Sequence, residues 1–545
     1  MRRSTPLALA AVLALLLSAA PGTAAPGFRT KVPPMLTLGP GAPAGSNIKA
    51  IISSGDVFGG LEFEGIPDGI GFVDRGSTVD VYVTHEQSRV PFPLAAPPSS
   101  SNPTGTVGLQ DYEDSSISKV TLNVGGKVLA ASEALSPALG LIRFCSAFMA
   151  GPAEGFASPV FFANEESNDP LGVPTGALYP EDPFYGVGAM RRQAGYAVAY
   201  DVATGSSRVI PGMGRMNHEN TVIVPGGWSQ TVAITGDDTF NAPSSQLFIY
   251  TAASPSELLV DAGTLYAFRV TDTGGDPIVP TDAFNGANDY GDIEVGDDWK
   301  GEFIEVPPGI ADGTDPTEGG KLPPMAPQEA LERWSNTNNV FQFIRVEDLA
   351  YDRNDPNVVY FADTGERRAR PDLDVTDTDA PDGRLDRAPS TIGGVPYNGP
   401  YPNGRIFRIE LDPAKPTNVL SFSILLDNDA AGLGDPNVMH QPDNVETSTN
   451  SLMVQEDSGQ APFSRIWRYD FATQTWSVVA SVNNQAWESS GIVDASAAFG
   501  PGSWLVTVQA HDSASFVDQS GPLVVNTTIM KREGGQLLLV RLLGS

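Results

Sequence analysis

All four histidines of this chain lie in or just before short acidic motifs at the ends of apolar runs: VYVTHE (His85, Glu86), GRMNHEN (His218, Glu219), HQPDN (His440, Asp443, Asn444) and VTVQAHD (His511, Asp512). With 65 acids among 545 residues, an acid follows any given residue about one time in eight, so three adjacent His-acid pairs out of four point to a selected feature. Imidazole beside carboxylate is the chemistry of a metal or proton-transfer centre. Successive side chains of a strand point to opposite faces, so one member of each pair can face an ion while the other supplies a hydrogen bond behind it. His218 with Glu219 is the leading catalytic pair, and Glu86 a candidate metal ligand; His440 and His511 fit a functional or a bracing role equally. The pairs lack the H-E-x-x-H spacing of helical zinc sites.

Oxygen donors cluster at other strand ends. FFANEES places Asn164, Glu165 and Glu166 together, two carboxylates and an amide of the kind calcium takes. QPDNVET, VQEDSG and WESSGI add Asp443, Asn444, Glu456 and Glu488. In FIRVEDLAYD, Arg345 and Glu347 are two apart and share a strand face. An arginine held in an acidic, metal-lined site suits a phosphate monoester, because an ion polarises the phosphoryl oxygens while the guanidinium binds two of them; an ordinary Arg–Glu pair is the plain alternative. The acids of Asp374–Asp386 miss the EF-hand spacing, with Asp382 where a glycine belongs. There is no phosphate-loop signature and no G-x-S-x-G nucleophile elbow.

Lys and Arg total 33 against 65 acids, a net charge of −32, which disfavours nucleic acid and anionic lipid as partners and favours cations. Arg2 and Arg3, an apolar stretch from Leu7 to Ala20 and small residues to Ala24 have the layout of an export signal over residues 1–24. The stretch is too short to span a bilayer. A monomeric protein exported to the periplasm or beyond the cell is expected, by either the general or the twin-arginine route. The single cysteine, Cys145, excludes an intramolecular disulfide.

What must position these groups is a series of short β-rich runs bounded by Gly, Pro, Asn or Asp, among them Val79–Thr84, Val160–Ala163, Thr221–Val224, Val358–Ala362, Ser451–Gln455 and Trp504–Gln509. Helical periodicity is confined mainly to Gln328–Val340. The expectation is an all-β chain: a single β-propeller over residues 25–545, with long insertions near 271–327 and 372–402. Acids end about six runs in the same manner, and the innermost strands of a propeller carry such ends to one axial site, which suggests six blades.

In order along the chain, GIPDGIGF with VTHEQ, RFCSA with FFANEES, GRMNHENTVIV, ITGDDT, RVEDLAYD, HQPDNVE, WESSGI and VTVQAHD resemble the PhoX-type alkaline phosphatases, over about residues 60 to 515. The resemblance implies a six-bladed propeller whose axial calcium and iron ions hydrolyse phosphate monoesters. It further implies Glu165, Glu219, Glu347, Glu166, Asp443 and Glu488 as metal-binding positions, with Arg345 holding the phosphate of a small-molecule ester. The family's T-C-E-E motif, whose cysteine ligates iron, is matched here by Ala163, Asn164, Glu165 and Glu166. An amide oxygen suits calcium better than ferric iron, so several calcium ions are expected, while iron would lack the cysteine ligand of that motif, with Cys145 assigned to a different, upstream cysteine. A calcium-dependent lactonase-like propeller and a non-catalytic calcium-braced protein are the alternative readings.

Overall fold

The computed structural model describes residues 27–87, 112, 114–168, 170–171, 192–239, 245–275, 289–317, 319–321, 325–365, 390–392, 395–397, 403–431, 435–457, 463–511, 513–518, 525–530 and 533–543. The export-signal residues, the acidic loop Asp374–Asp386 and Asp512 lie outside them.

The valine-, isoleucine- and phenylalanine-rich runs form antiparallel sheets, and they are near-continuous apolar rather than alternating because neighbouring sheets cover both faces. Innermost in each sheet is one strand: β1 (Pro67–Asp74), β2 (Phe144–Ala150), β3 (His218–Ile223), β4 (Val346–Tyr351), β5 (Pro442–Thr447) and β6 (Trp487–Asp494). Each of these packs beside the next, and β6 returns to β1, so they line a closed ring. The sheets extend outward by consecutive hairpins, for example from β1 through Thr78–His85 and Ser116–Asn123 to Val128–Leu135. In the last sheet Asn47–Ser53, from the N-terminal part of the described chain, pairs with Gly534–Arg541. That pairing joins strands from far apart in the sequence in one sheet and completes the ring.

One feature departs from the expected loops. The segment near 271–327 contributes a strand, Trp299–Glu305, which pairs with Thr264–Asp272 on one side and Lys415–Asp427 on the other, fusing the sheets of β3 and β4 into one of nine strands. Its apolar residues Trp299 and Phe303 enter a ring cluster with Phe268, Phe341 and Phe422, where Phe268 and Phe422 stand 5.0 Å apart. The alternation that predicts such a strand is short and flanked by Gly, Asp and Pro, so composition alone reads as loop. The helical stretch appears as Pro327–Thr337, with Pro327 in its first turn and Leu331 and Trp334 buried.

The same irregularity recurs near the start of each inner strand. Pro67 pairs with His85 and the next paired residue, Ile70, with Val83, so three steps on β1 oppose two on its neighbour. The same three-against-two slip runs from Phe144 to Ala147, His218 to Thr221, Val346 to Leu349, Pro442 to Val445 and Ser489 to Ile492. Each is a β-bulge, which inserts one residue and re-aims its side chain.

Candidate metal centre

The bulges decide what faces the axis. The residue just after the slip begins is Asp68 on β1, Cys145 on β2, Glu219 on β3, Glu347 on β4, Asp443 on β5 and Ser490 on β6. A second layer comes from the position just past the residue that pairs with the start of each bulge: Glu86, Glu166, Asp238, Thr364, Asp457 and Gln509. Ligand atoms of Asp68, Glu86 and Cys145 lie within 4.8 Å of one another, as do those of Cys145, Glu166 and Glu219, and those of Glu219, Glu347 and Asp443. The three groups share members and so form one continuous cluster.

Part of several of these carboxylates is held by the protein. Gln509 Nε2 donates to Asp68 Oδ2 (2.6 Å) and Glu86 Oε2 (2.9 Å), Ser146 Oγ to Glu219 Oε1 (2.8 Å), and Thr364 Oγ1 to Glu347 Oε1 (2.8 Å). The remainder is unmet: among the described residues Asp68 Oδ1, Glu219 Oε2, Asp443 Oδ1 and Asn164 Oδ1 are buried without a hydrogen-bond partner. A buried acceptor left unsatisfied costs on the order of 1–3 kcal/mol, more if charged, and like charges this close repel one another. Burial, then Glu347, Glu166, Asp68 and Asp238, push the Glu219 carboxyl well above its ordinary range. Burial raises Glu166 to about 8 even with Arg143 beside it. Cations answer both deficits, and the donors suit them: hard carboxylate oxygens for calcium and one thiol for a softer transition metal.

Two guanidiniums border the cluster. Arg345 Nε and Nη2 donate to the two oxygens of Asp238 at 2.8 and 2.7 Å, and its Nη2 reaches Glu347 Oε1 at 2.8 Å. Arg143 Nη2 lies 2.7 Å from Glu86 Oε1 and 2.8 Å from Glu166 Oε2.

Of the residues picked from sequence, Glu86, Glu166, Glu219, Glu347, Asp443 and Arg345 are brought together, and Asn164 adjoins them, its amide directed at the Glu219 carbonyl (3.4 Å). Glu488 stands to one side, with Ser490 Oγ at 3.3 Å and His511 Nε2 at 3.6 Å, and burial together with Asp457 raises it to about 8. Two assignments are corrected. Glu165 faces away from the axis, where Arg192 Nη1 and Nη2 clamp its oxygens at 2.7 and 2.6 Å and the Ile142 amide adds a third bond, so it has no lone pair directed at the cluster. His218 likewise points behind β3, between Thr235 Oγ1 (3.1 Å) and the Gly214 carbonyl (3.0 Å). Burial lowers it to about 4, and with both ring nitrogens engaged behind the strand it presents no group to the cluster.

Cys145 requires the third correction. It belongs to two of the three ligand groups, so the centre keeps a sulfur although position 164 is an amide. Asp68 was also missed, and Asp238 is marked in the sequence only as one of two adjacent acids ending a strand. The signal for Asp68 lies in aligning P-D-G-I, F-C-S-A, H-E-N-T, V-E-D-L and P-D-N-V, where the second residue is always a metal-ligating type.

Comparison with known proteins identifies the family and a similar fold. The family model "Alkaline phosphatase PhoX" matches residues 154–489. The structure of Pseudomonas fluorescens PhoX in complex with vanadate, a transition state analogue, is similar at 15% identity and a TM-score of 0.58, covering 93% of this chain and 96% of that one. The PQQ-bound aldose sugar dehydrogenase of Streptomyces coelicolor aligns at 11% identity over 92% of this chain and 99% of that one, with a TM-score of 0.33. A search of curated proteins finds no match. With 336 of its 545 residues inside the family model, this chain belongs to the alkaline phosphatase PhoX family.

Proposed function

We propose that this chain is an exported, metal-dependent phosphatase that hydrolyses small phosphate monoesters on the axis of a six-bladed propeller. The observation that carries the reading is the continuous cluster joined through Glu219 and Cys145, bordered by Arg345. Asp68, Glu86, Cys145, Glu166, Glu219, Glu347 and Asp443 would hold the ions, calcium on the oxygen-only side near Asp443 and a softer metal near Cys145. Bound there, the ions would polarise the phosphoryl oxygens and activate a nucleophile.

The chain's own groups do the rest. Arg345 is fixed in plane by Asp238 and Glu347, with its side chain 14% exposed, so its orientation is settled before a phosphate arrives. It would bind the equatorial oxygens and stabilise the charge that builds on them. Arg345→Ala is expected to lower kcat/KM for p-nitrophenyl phosphate by roughly 10²- to 10³-fold without unfolding the protein; an unchanged kcat/KM would exclude this role.

The central test is metal analysis of the purified protein with p-nitrophenyl phosphate turnover before and after chelation and calcium return. Activity that falls on chelation and returns with calcium supports the reading. Bound calcium without turnover of any aryl phosphate contradicts it.

Protons compete with the ions, and the sign follows from the shifts. Glu166 is raised from 4.5 to about 8, so between those values the folded, metal-free protein retains a proton the unfolded chain has released, and stability falls as the pH rises. The melting temperature of metal-free protein is therefore expected to be lower at pH 9 than at pH 6, while calcium affinity increases over the same interval. A calcium titration at both pH values, with melting curves, checks the two trends; equal affinity at both would contradict them.

A further inference from the structure

The bulge register pairs Arg143 with Arg345. Each is the residue immediately before its bulge, on β2 and β4 respectively, at the same end of the ring. The corresponding positions on the other inner strands are Ile66, Asn217, Gln441 and Glu488, so these two alone carry cations. Their anchoring is also alike, because each reaches back to the second-layer acid of the preceding sheet: Arg143 to Glu86 (2.7 Å) and Arg345 to Asp238 (2.7 Å). The acids that hold them belong to one cluster, since Glu166 beside Arg143 feels Asp238 beside Arg345.

Arg143 is built to keep its position. Its backbone has φ +49°, which the bulge itself imposes, since the corresponding Ile66 (+35°) and Gln441 (+48°) share it. Its amide donates to the Gln87 carbonyl (2.9 Å), its carbonyl accepts from the Glu166 amide (2.9 Å), and its Nε donates to the Glu166 carbonyl (3.1 Å). Nη2 takes both carboxylates, whereas Nη1 has no hydrogen-bond partner among the described residues, and the side chain is 32% exposed against 14% for Arg345. A purely structural ion pair does not need an open donor at the mouth of the site.

We propose that Arg143 is a second substrate-binding arginine that, with Arg345, grips the non-bridging oxygens of a dianionic phosphate monoester. This rests on the phosphatase reading, and a second guanidinium would add to the charge of the ions in drawing a dianion to the site.

The test measures binding of inorganic phosphate, by calorimetry and as competitive inhibition, to the metal-loaded wild type, Arg143→Ala, Arg143→Lys and Arg345→Ala, with metal content and melting temperature for each. Arg143→Ala is expected to weaken phosphate about 10- to 100-fold at unchanged metal content. Arg143→Lys, which keeps the pairs to Glu86 and Glu166 but not the planar fork, is expected to weaken it several-fold while melting like the wild type. Added guanidinium ion should restore part of the loss in Arg143→Ala. Loss of metal or of melting temperature in Arg143→Ala, with Arg143→Lys binding phosphate like the wild type, overturns the proposal in favour of a bracing role. If wild type and Arg345→Ala also fail to bind phosphate, the phosphatase reading itself falls and takes this proposal with it; loss in Arg345→Ala alone overturns only the role of Arg143.

Discussion

Glu219→Gln is expected to abolish turnover, with kcat/KM for an aryl phosphate down by at least about 10³-fold and at least one ion lost per chain. Glu219, like Cys145, belongs to two ligand groups, and its Oε2 is buried without a hydrogen-bond partner among the described residues, so the amide removes charge at the centre of the cluster. The fold should survive and, in the metal-free state, gain. Burial and four surrounding acids already oppose ionisation of this carboxyl, so a neutral isostere relieves both the desolvation and the repulsion. Metal-free Glu219→Gln should therefore melt at or above metal-free wild type, while metal-loaded wild type melts above both. Elemental analysis, kinetics and paired melting curves decide the matter; a variant that keeps its ions and its kcat would remove Glu219 from the centre.

Arg192→Ala is expected to have the largest effect on stability, about 3–5 kcal/mol, because it strands Glu165 as an unpaired charge in the interior. The pair is bidentate at 2.6 and 2.7 Å, with Glu165 and Arg192 side chains 0% and 1% exposed, and the guanidinium stacks on Tyr196 at 5.1 Å. Denaturant melts measure the loss. The companion variant Glu165→Gln separates bracing from ligation: it should be destabilised yet retain the wild-type complement of ions. Loss of metal in Glu165→Gln would return Glu165 to the ligand set.

These two variants concern neighbouring kinds of acid that look the same in sequence. Glu165 and Glu166 are adjacent, equally acidic and equally close to a strand end, yet one pairs with Arg192 and the other faces Cys145 and Glu219. The same division separates His85 from Glu86, His218 from Glu219, Asp237 from Asp238 and Glu456 from Asp457. In each case the first residue braces the sheet, as Glu456 does through Arg465 and His85 through Gly65 and Ser118, and the second belongs to the site or stands beside it. Period-two alternation predicts that only one of each pair can face in, but not which one, because the strand ends where the choice is made.

Cys145 shows the limit from the other direction. By motif it matched an upstream cysteine with no assigned role, and by regular alternation the run Phe144–Ala150 gives no reason to single it out. The bulge between Phe144 and Ala147 turns it to the axis, and a bulge is a matter of register against the partner strand, invisible along one strand alone.

The sequence by itself therefore determined the class of the fold, the acidic character of the axis and most of the acids gathered there, since apolar runs, turn residues and carboxylates at strand ends are local properties. It also carried the family likeness. Only the tertiary structure decided which member of each adjacent pair serves the site, that the thiol of Cys145 joins it, and that Arg143 stands where Arg345 does. Those facts depend on how sheets distant in sequence close into a ring, and on the extra residue each inner strand inserts as it enters that ring.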